Sequence, residues 1–245
     1  MKSIIWSEEQ IRKHKIAADL LQEIVKKAFD MIRNGNVSEY EVQQFILEEF
    51  KRNNLVGTKD LPIVAFNESA ANPHYCPKKE DSKKIVSGIV MIDVWAKLNE
   101  EDAPYADITL MGSRGEISQE MKDAFFDVIK ARDDCLNFIR MNLLENGEVI
   151  GKDCHDIVFN FLEEKHKGKF IHSTGHSLSW DDVHGYYPYL NSKSLMPLLK
   201  NVGYTIEPGL YFKEKFGVRS EIDFYITNRN ELIVTTEMQK DFVKL

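Results

Sequence analysis

The sequence predicts a mixed α/β fold (α+β) built from two similar halves. Long amphipathic helices alternate with short runs of apolar, β-branched and aromatic residues, a pattern typical of helices packed on a sheet. The same order of elements occurs twice, and the Asn-Gly pairs that end a helix in each half are offset by 112 residues. Asp93 and Asp107 are 14 residues apart, and Glu207 and Glu221 repeat that spacing 114 residues later. Near-equal offsets of this kind favour an ancestral duplication.

The first half, about residues 7–111, begins with two predicted helices. Apolar residues at helical spacing extend from Glu8 to about Asn34, and Gly35 is a natural stop. A capping-box pattern at Ser38–Glu41 starts a second amphipathic helix. The remaining predictions for this half are a short strand at 61–66, irregular chain at 67–75, a strand buried on both faces at 85–95 and a strand at 105–111.

The second half, about residues 117–230, repeats this order. A long helix is predicted from Ile117 to Leu144, with a stop at Asn146-Gly147, and a second helix from about 152 to 166. A histidine-bearing loop at 170–184 follows. Two β-rich runs, 203–211 and 216–227, complete the half, with turns expected at Pro208-Gly209 and Phe216-Gly217.

Composition narrows the class of protein. The formal net charge of −7 argues against nucleic acid or an anionic membrane as the main partner. Apolar runs are too short for a membrane span, and the N-terminal residues lack the apolar core of a signal peptide. The three cysteines, Cys76, Cys135 and Cys154, form no Cys-x-x-Cys pair, so reduced thiols and a cytoplasmic location are expected. Without a linker-like segment, residues 1–245 are expected to form one domain.

The four acids of the repeat carry the chemical argument. An ionised carboxylate among buried strand residues is costly unless a cation lies beside it, so each acid is either ion-paired or bound to metal. A pseudo-twofold axis between the halves would bring all four acids together, where they would repel and raise each other's pKa. Two divalent cations would remove that repulsion, and the loop at 170–184 supplies imidazoles at His172, His176 and His184. Such a site suits Mn, Fe, Co or Zn.

Together, four motifs resemble the pita-bread metallopeptidases, the family of methionine aminopeptidase, aminopeptidase P, prolidase and creatinase. The motifs are Ile92-Asp93…Ala106-Asp107-Ile-Thr109, His172-x-x-x-His176…Asp182-Val-His184, Thr205-Ile-Glu207-Pro-Gly-Leu-Tyr211 and Val218-Arg-Ser-Glu221-Ile-Asp223. The last two are closest to the aminopeptidase P and prolidase branch, and the resemblance covers essentially the whole chain. It implies the pita-bread fold, with two pseudo-symmetric halves around a curved, mainly antiparallel sheet.

The resemblance also implies a ligand set for two divalent metal ions, with Mn favoured over Co, Zn or Fe. Asp93 would chelate one ion, and Asp107 and Glu221 would bridge both. His176 and Glu207 would bind the second ion. The nucleophile would be a water or hydroxide held between the ions, and Glu207 would take its proton and pass it to the leaving amine.

Four more residues receive roles from the resemblance. His184 and His74 would flank the scissile carbonyl and stabilise the tetrahedral intermediate. His172 and Arg219 would line the substrate or support the ligands, although Arg219 is equally explained as a structural ion-pair partner. Two departures from the family pattern stand out: His176 and His184 are eight positions apart, one more than usual, and the chain is expected to lack the N-terminal domain that precedes the catalytic domain in many relatives.

The expected function is metal-dependent hydrolysis of the N-terminal residue from peptides, or of dipeptides, with Xaa-Pro as a candidate specificity. The expected partner is a peptide substrate, and a homodimer is compatible with the sequence. Two alternatives remain open. One is a non-catalytic pita-bread module that binds peptides or proteins; the other is a creatinase-like hydrolase of a small non-peptide C–N bond.

Overall fold

The structure is a computed structural model that describes residues 4–84, 86–145 and 147–245. Its helices are α1 (Glu8–Asn34), α2 (Glu39–Arg52), α3 (Gln119–Leu144) and α4 (Gly151–Lys165), with a short 3-10 helix at Asn67–Ala71. The first strands are β1 (Leu55–Val56), β2 (Ile63–Phe66), β3 (Gly88–Leu98) and β4 (Ala106–Arg114). The later strands are β5 (Ser177–Leu178), β6 (Gly203–Ile206), β7 (Gly209–Phe212), β8 (Phe216–Arg219), β9 (Ile222–Ile226), β10 (Leu232–Val234) and β11 (Val243–Lys244).

The helix predictions are confirmed to within two residues at each end. The capping box at Ser38 is present, since its side chain accepts from the Glu41 amide and the Glu41 carboxylate accepts from the Ser38 amide. Ser7 forms a second capping box with Gln10 at the start of α1, which was not predicted. The segment after Phe66, expected to be irregular, begins with the 3-10 helix. Ile85, the start of the strand predicted at 85–95, and Asn146 lie outside the described residues.

The hairpin of β3 and β4 separates two hydrophobic layers. Because side chains alternate along a strand, residues such as Val90, Ile92 and Ile108 pack against α1 and α2. The opposite face carries Asp93 and Asp107 and is turned toward the second half of the chain. β3 is buried along most of its length, as its continuous apolar run predicts. The two acids therefore project away from the helices and into the centre of the molecule.

The C-terminal strands form one long antiparallel hairpin with a break in it. β6 pairs with β9 and β7 with β8 in the same register, and the Ser220 amide donates to the Pro208 carbonyl across the break. Glu207 and Glu221 occupy this break, on opposite arms, so neither carboxylate lies within a regular strand. Among the described strands, every pairing except that of β11 with β4 is antiparallel.

Neither turn prediction is correct. The chain does not reverse at Pro208-Gly209, because Pro208 lies in the break and Gly209 begins β7, which continues the arm of β6 in the same register. Phe216-Gly217 lies within β8, and the chain instead reverses at residues 213–215, where Glu214 takes the left-handed conformation with φ of 59°. Gly217 is needed for a different reason. A Cβ at this position would lie 1.9 Å from the carbonyl oxygen of Ala70, so the glycine permits close contact between β8 and the 3-10 helix.

The two halves meet through the site strands. The Glu221 amide donates to the Thr109 carbonyl at 3.3 Å, and the Asp107 amide donates to Asp223 Oδ2 at 2.9 Å. α3 packs on the outside of β7 and β8, as α1 packs on β3 and β4. The acids are thus enclosed between two layers that each have a helical cover. In the described ranges, none of the helices is long and apolar enough to cross a membrane.

Acid should destabilise the fold through His14, which is fully buried on α1. Its Nδ1 lies 2.9 Å from the Tyr105 carbonyl and its Nε2 lies 2.8 Å from the Thr235 hydroxyl, so a neutral ring satisfies both contacts. Burial lowers the pKa of His14 to about 4, whereas the unfolded chain keeps a pKa near 6.5. Between these values only the unfolded chain binds the proton at this position, so the contribution of His14 to stability falls with falling pH, by about 3 kcal/mol near pH 4.

The measurement is chemical denaturation of chelator-treated protein between pH 7 and pH 4. His14→Asn keeps a donor for the Tyr105 carbonyl but does not titrate, so its unfolding free energy should depend less on pH than that of the wild type. Parallel pH profiles for the two proteins would contradict this assignment.

Candidate metal centre

A cleft of about 970 Å³ lies where the two halves meet. Its walls come from the loop after β1, the segment around His74, the inner face of β3 and β4, and the loop that carries His176 and His184. Most of the predicted site residues line it. They are Asp93, Asp107, His176, Glu207, Glu221, His74, His184 and Arg219.

Three of the predicted ligands form the centre of the site. Asp107, His176 and Glu221 each offer one ligand atom, and these atoms all lie within 4.8 Å of one another. Asp107 Oδ2 is 3.7 Å from His176 Nε2. The Nδ1 of His176 lies 3.0 Å from the Ser177 carbonyl and donates its proton there, which leaves the Nε2 lone pair directed at the carboxylates. The imidazole is therefore already in the tautomer of a metal ligand.

Glu207 joins this centre from the break in the C-terminal hairpin. Its Oε1 lies 3.3 Å from His176 Nε2 and accepts a hydrogen bond from the Thr205 hydroxyl at 3.2 Å. Burial raises the pKa of Glu207 to about 7, although Arg219 opposes the shift. Such a carboxyl can exchange a proton near neutral pH.

Asp93 is held at the edge of the centre by two partners. Arg219 forms a buried ion pair with Asp93 Oδ2, and its Nε donates to the Thr109 hydroxyl at 2.9 Å. The Thr109 oxygen lies 3.0 Å from Asp93 Oδ1 and 2.8 Å from Glu221 Oε2. Thr109 and Arg219 thus connect a carboxylate of the first half to one of the second. Of the two explanations raised by the sequence, the ion pair is present for Asp93, and the residue also lines the cleft beside the cluster.

The electrostatics of the cluster favour a bound cation. Burial raises the pKa of Asp107 well above its usual value, and the charges of Glu221 and Asp93 raise it further. Burial and the charge of Glu207 do the same to the pKa of Glu221. Asp107 Oδ1 is buried and has no hydrogen-bond partner among the residues that the structure describes, which is unusual for a carboxylate oxygen. A set of four carboxylates and one imidazole with an unpartnered oxygen fits divalent metal ions.

The three other histidines predicted for the site occupy different places. His184 lies against His176, with ring centroids 4.3 Å apart, and His74 lies on the exposed rim of the cleft. His172 is placed behind Tyr211, with its Nε2 2.9 Å from the tyrosine hydroxyl and its Nδ1 2.7 Å from the Ser173 carbonyl. Burial lowers the pKa of His172 to about 3. His172 therefore contacts Tyr211 and is not among the residues that line the cleft.

Comparison with known proteins places this site in a family. Residues 12–228, most of the chain, match the sequence model of metallopeptidase family M24. The chain belongs to this family.

This M24 chain is similar to longer proteins. It is 27% identical over 232 residues to an uncharacterized peptidase of Staphylococcus aureus, covering 94% of this chain and 62% of that protein. The X-Pro aminopeptidase of Thermotoga maritima superposes with a TM-score of 0.85 and 25% identity, over 99% of this chain and 65% of the other. The prolidase of Thermococcus sibiricus superposes with a TM-score of 0.80 and 29% identity, over 98% and 62%. The chain thus spans less than two thirds of these relatives, and it has their pita-bread fold.

Two residues of this M24 site received no role from the sequence. Thr109 links Asp93 to Glu221, and Tyr211 links His172 to Arg219, whose Nη1 donates to the tyrosine hydroxyl at 3.3 Å. Both belong to the recognised motifs. Thr109 had a detectable signal, because it lies two positions after Asp107 and so shares its strand face.

The longer spacing between the two histidines of this M24 chain is accommodated by a tight turn. The Ser179 hydroxyl accepts from the amides of Asp181 and Asp182, and the Ser179 amide donates to the Asp182 carbonyl at 3.3 Å. The turn lies between the two histidines, and the His184 ring packs beside that of His176.

Proposed function

We propose that this chain is a metal-dependent exopeptidase that removes the N-terminal residue of peptides or splits dipeptides, with Xaa-Pro bonds as its preferred targets. The proposal is carried by the cluster of Asp107, His176 and Glu221 with its unpartnered Asp107 oxygen at the base of the cleft. Membership of a metallopeptidase family supports hydrolysis, and the likeness to an X-Pro aminopeptidase and a prolidase supports the substrate class.

We further propose that Asp93, Asp107, His176, Glu207 and Glu221 hold two divalent ions. Four of these five ligands are carboxylates, and oxygen-rich ligand sets suit Mn²⁺ better than the softer sites that select Zn²⁺. Bound there, the ions would acidify a water molecule and polarise the scissile carbonyl. An exposed free thiol at Cys76 supports a reducing compartment, and we propose the cytoplasm.

The remaining chemistry belongs to the side chains. Glu207 is proposed to accept the proton of the attacking water and donate it to the leaving amine, since its carboxylate lines the cleft and lies 3.3 Å from His176 Nε2 at the centre of the site. His184 and His74, which both line the cleft, are proposed to bind the carbonyl oxygen as negative charge develops on it. His172 is proposed to orient Tyr211, and through it Arg219 and Asp93.

The purified chain, loaded with Mn²⁺ or Co²⁺, should release free amino acids from short Xaa-Pro peptides. The measurement is product analysis on a panel of dipeptides and tripeptides with proline or alanine at the second position. Chelation should abolish hydrolysis, and re-addition of the metal should restore it, because the bound ions would lower the pKa of the attacking water and polarise the scissile carbonyl.

An N-terminally acetylated peptide of the same sequence is the matched control and should resist cleavage. Stoichiometric binding of peptide without release of product would favour a non-catalytic binding module instead. Turnover that survives complete removal of metal would point to a creatinase-like reaction.

A further inference from the structure

A buried arginine on α3 contacts the segment that carries the site residues without lining the cleft. Arg132 lies on α3, and its side chain is fully buried. Its Nη1 donates to the Ser220 hydroxyl at 2.7 Å and to the Gln239 carbonyl at 2.9 Å, while its Nε donates to Asp133. Its charge is paired with Asp133, since Nη2 lies 2.8 Å from Asp133 Oδ1, although Nη2 has no hydrogen-bond partner among the described residues. Ser220 lies between Arg219 and Glu221, so Arg132 binds the segment that carries Glu221, a predicted bridging ligand.

Gln239 continues this contact to the other half of the site. It belongs to the C-terminal segment that follows β10, beyond residue 228 where the match to the family ends. Its side-chain oxygen accepts from the Met111 amide at 2.9 Å, and its side-chain nitrogen donates to the Met111 carbonyl at 2.6 Å. Met111 lies on β4, the strand that carries Asp107 and Thr109. The Gln239 side chain thus forms the two hydrogen bonds with the Met111 backbone that a neighbouring strand would otherwise form.

These contacts close a ring around the ligands. On the outer side, Met111 is bound to Gln239, Gln239 to Arg132, and Arg132 to Ser220. On the inner side, Glu221 is bound to Thr109, which returns the ring to β4. Every link is a hydrogen bond between buried atoms, so few alternative arrangements are available. The distance between Asp107 and Glu221 depends on how β4 packs against the break in the C-terminal hairpin. The ring of hydrogen bonds connects these two segments.

We propose that Arg132 and Gln239 are positioning residues that fix the spacing of the two bridging carboxylates, Asp107 and Glu221. The proposal rests on the proposed function, in which these carboxylates share two metal ions. Neither residue is among those that line the cleft. The C-terminal segment thereby stabilises the positions of β4 and the hairpin break at the metal centre. It also adds β11 to the sheet.

Gln239→Glu is the sharpest test because it preserves size and the acceptor for the Met111 amide but removes the donor to the Met111 carbonyl. Calorimetric titration with Mn²⁺ should show binding of the second ion weakened by about 10-fold or more, the usual effect of losing an outer hydrogen bond at a metal site. The visible absorption of the Co²⁺-loaded variant should also differ from that of the wild type, since it reports ligand geometry.

Gln22→Glu is the matched control. Gln22 on α1 accepts from the Glu237 amide of the same C-terminal segment, and a carboxylate retains that contact. It should leave Mn²⁺ affinity and the Co²⁺ spectrum unchanged. If Gln239→Glu does not fold, Ser220→Ala removes only the hydroxyl that Arg132 holds and should give the same two changes.

The outcomes separate the two proposals. Wild-type protein that fails to bind two equivalents of Mn²⁺ would overturn the proposed metal centre itself. Wild-type protein that binds both ions, together with a folded Gln239→Glu or Ser220→Ala variant of unchanged affinity and spectrum, would overturn the positioning role. A lower melting temperature alone, without those changes, counts as a purely structural effect and also overturns it.

Discussion

Replacement of Glu207 by glutamine should nearly abolish peptide hydrolysis while the protein remains folded. Glutamine keeps the side-chain shape and one oxygen beside His176, but its amide does not exchange a proton near neutral pH. General acid–base catalysis contributes about 10²–10⁴-fold, so kcat should fall by about that factor or more, with a smaller change in KM. Steady-state kinetics on an Xaa-Pro tripeptide at saturating Mn²⁺ measures both constants.

Glu23→Gln is a suitable control, because it makes the same chemical change at an exposed position on α1, far from the cleft. It should retain wild-type kinetics. Normal turnover in Glu207→Gln would disprove the proton-transfer role of Glu207, whereas loss of activity accompanied by loss of metal would show that its role is confined to ligation. Metal content of both variants, measured after gel filtration, distinguishes these cases.

Replacement of Asp107 by asparagine should remove tight metal binding and activity together. The change exchanges one atom, but it removes the charge of a proposed bridging ligand whose Oδ1 has no hydrogen-bond partner within the described protein. Neutral amides are weak ligands for a shared pair of divalent ions, so turnover should fall below detection. Calorimetric titration with Mn²⁺ and the same tripeptide assay test the two effects.

The same variant should be more stable than the wild type without metal. Burial and the neighbouring charges of Glu221 and Asp93 raise the pKa of Asp107, which means that its ionised form is destabilised in the folded chain. Removing that charge should raise the metal-free melting temperature, whereas added Mn²⁺ should stabilise only the wild type. A variant that is both less stable and still stabilised by Mn²⁺ would contradict the assignment of Asp107 as a metal ligand.

The fold could be predicted largely from local patterns. Helical periodicity located all four helices, and the apolar run around Asp93 predicted a strand that is buried in the structure. The error at Phe216-Gly217 shows where such patterns fail. Glycine is typical of turns, but Gly217 is required by the approach of the Ala70 carbonyl, a residue 147 positions away in the chain. That contact leaves no trace in the neighbouring sequence.

The sequence predicted which residues belong to the candidate site better than it predicted the hydrogen bonds between them. The equal spacing of Asp93–Asp107 and Glu207–Glu221 identified four acids, and the structure brings all of them to the cleft. The spacing did not indicate that Thr109 would join Asp93 to Glu221, or that His172 would lie behind Tyr211. Whether such hydroxyl and imidazole groups come into contact depends on differences of a few ångströms in the positions of the strands.

By itself, the sequence determined the order of the elements, the two-half plan and the acids and histidines offered to the site, because these follow from periodicity and residue chemistry along the chain. Only the tertiary structure decided which charges are paired. Arg219 neutralises Asp93, whereas Asp107 keeps an unpartnered oxygen, and Arg132 and Gln239 close a ring around the ligands. The physical reason is that burial and partner distance, which set the cost of each charge, arise only when the two halves pack together.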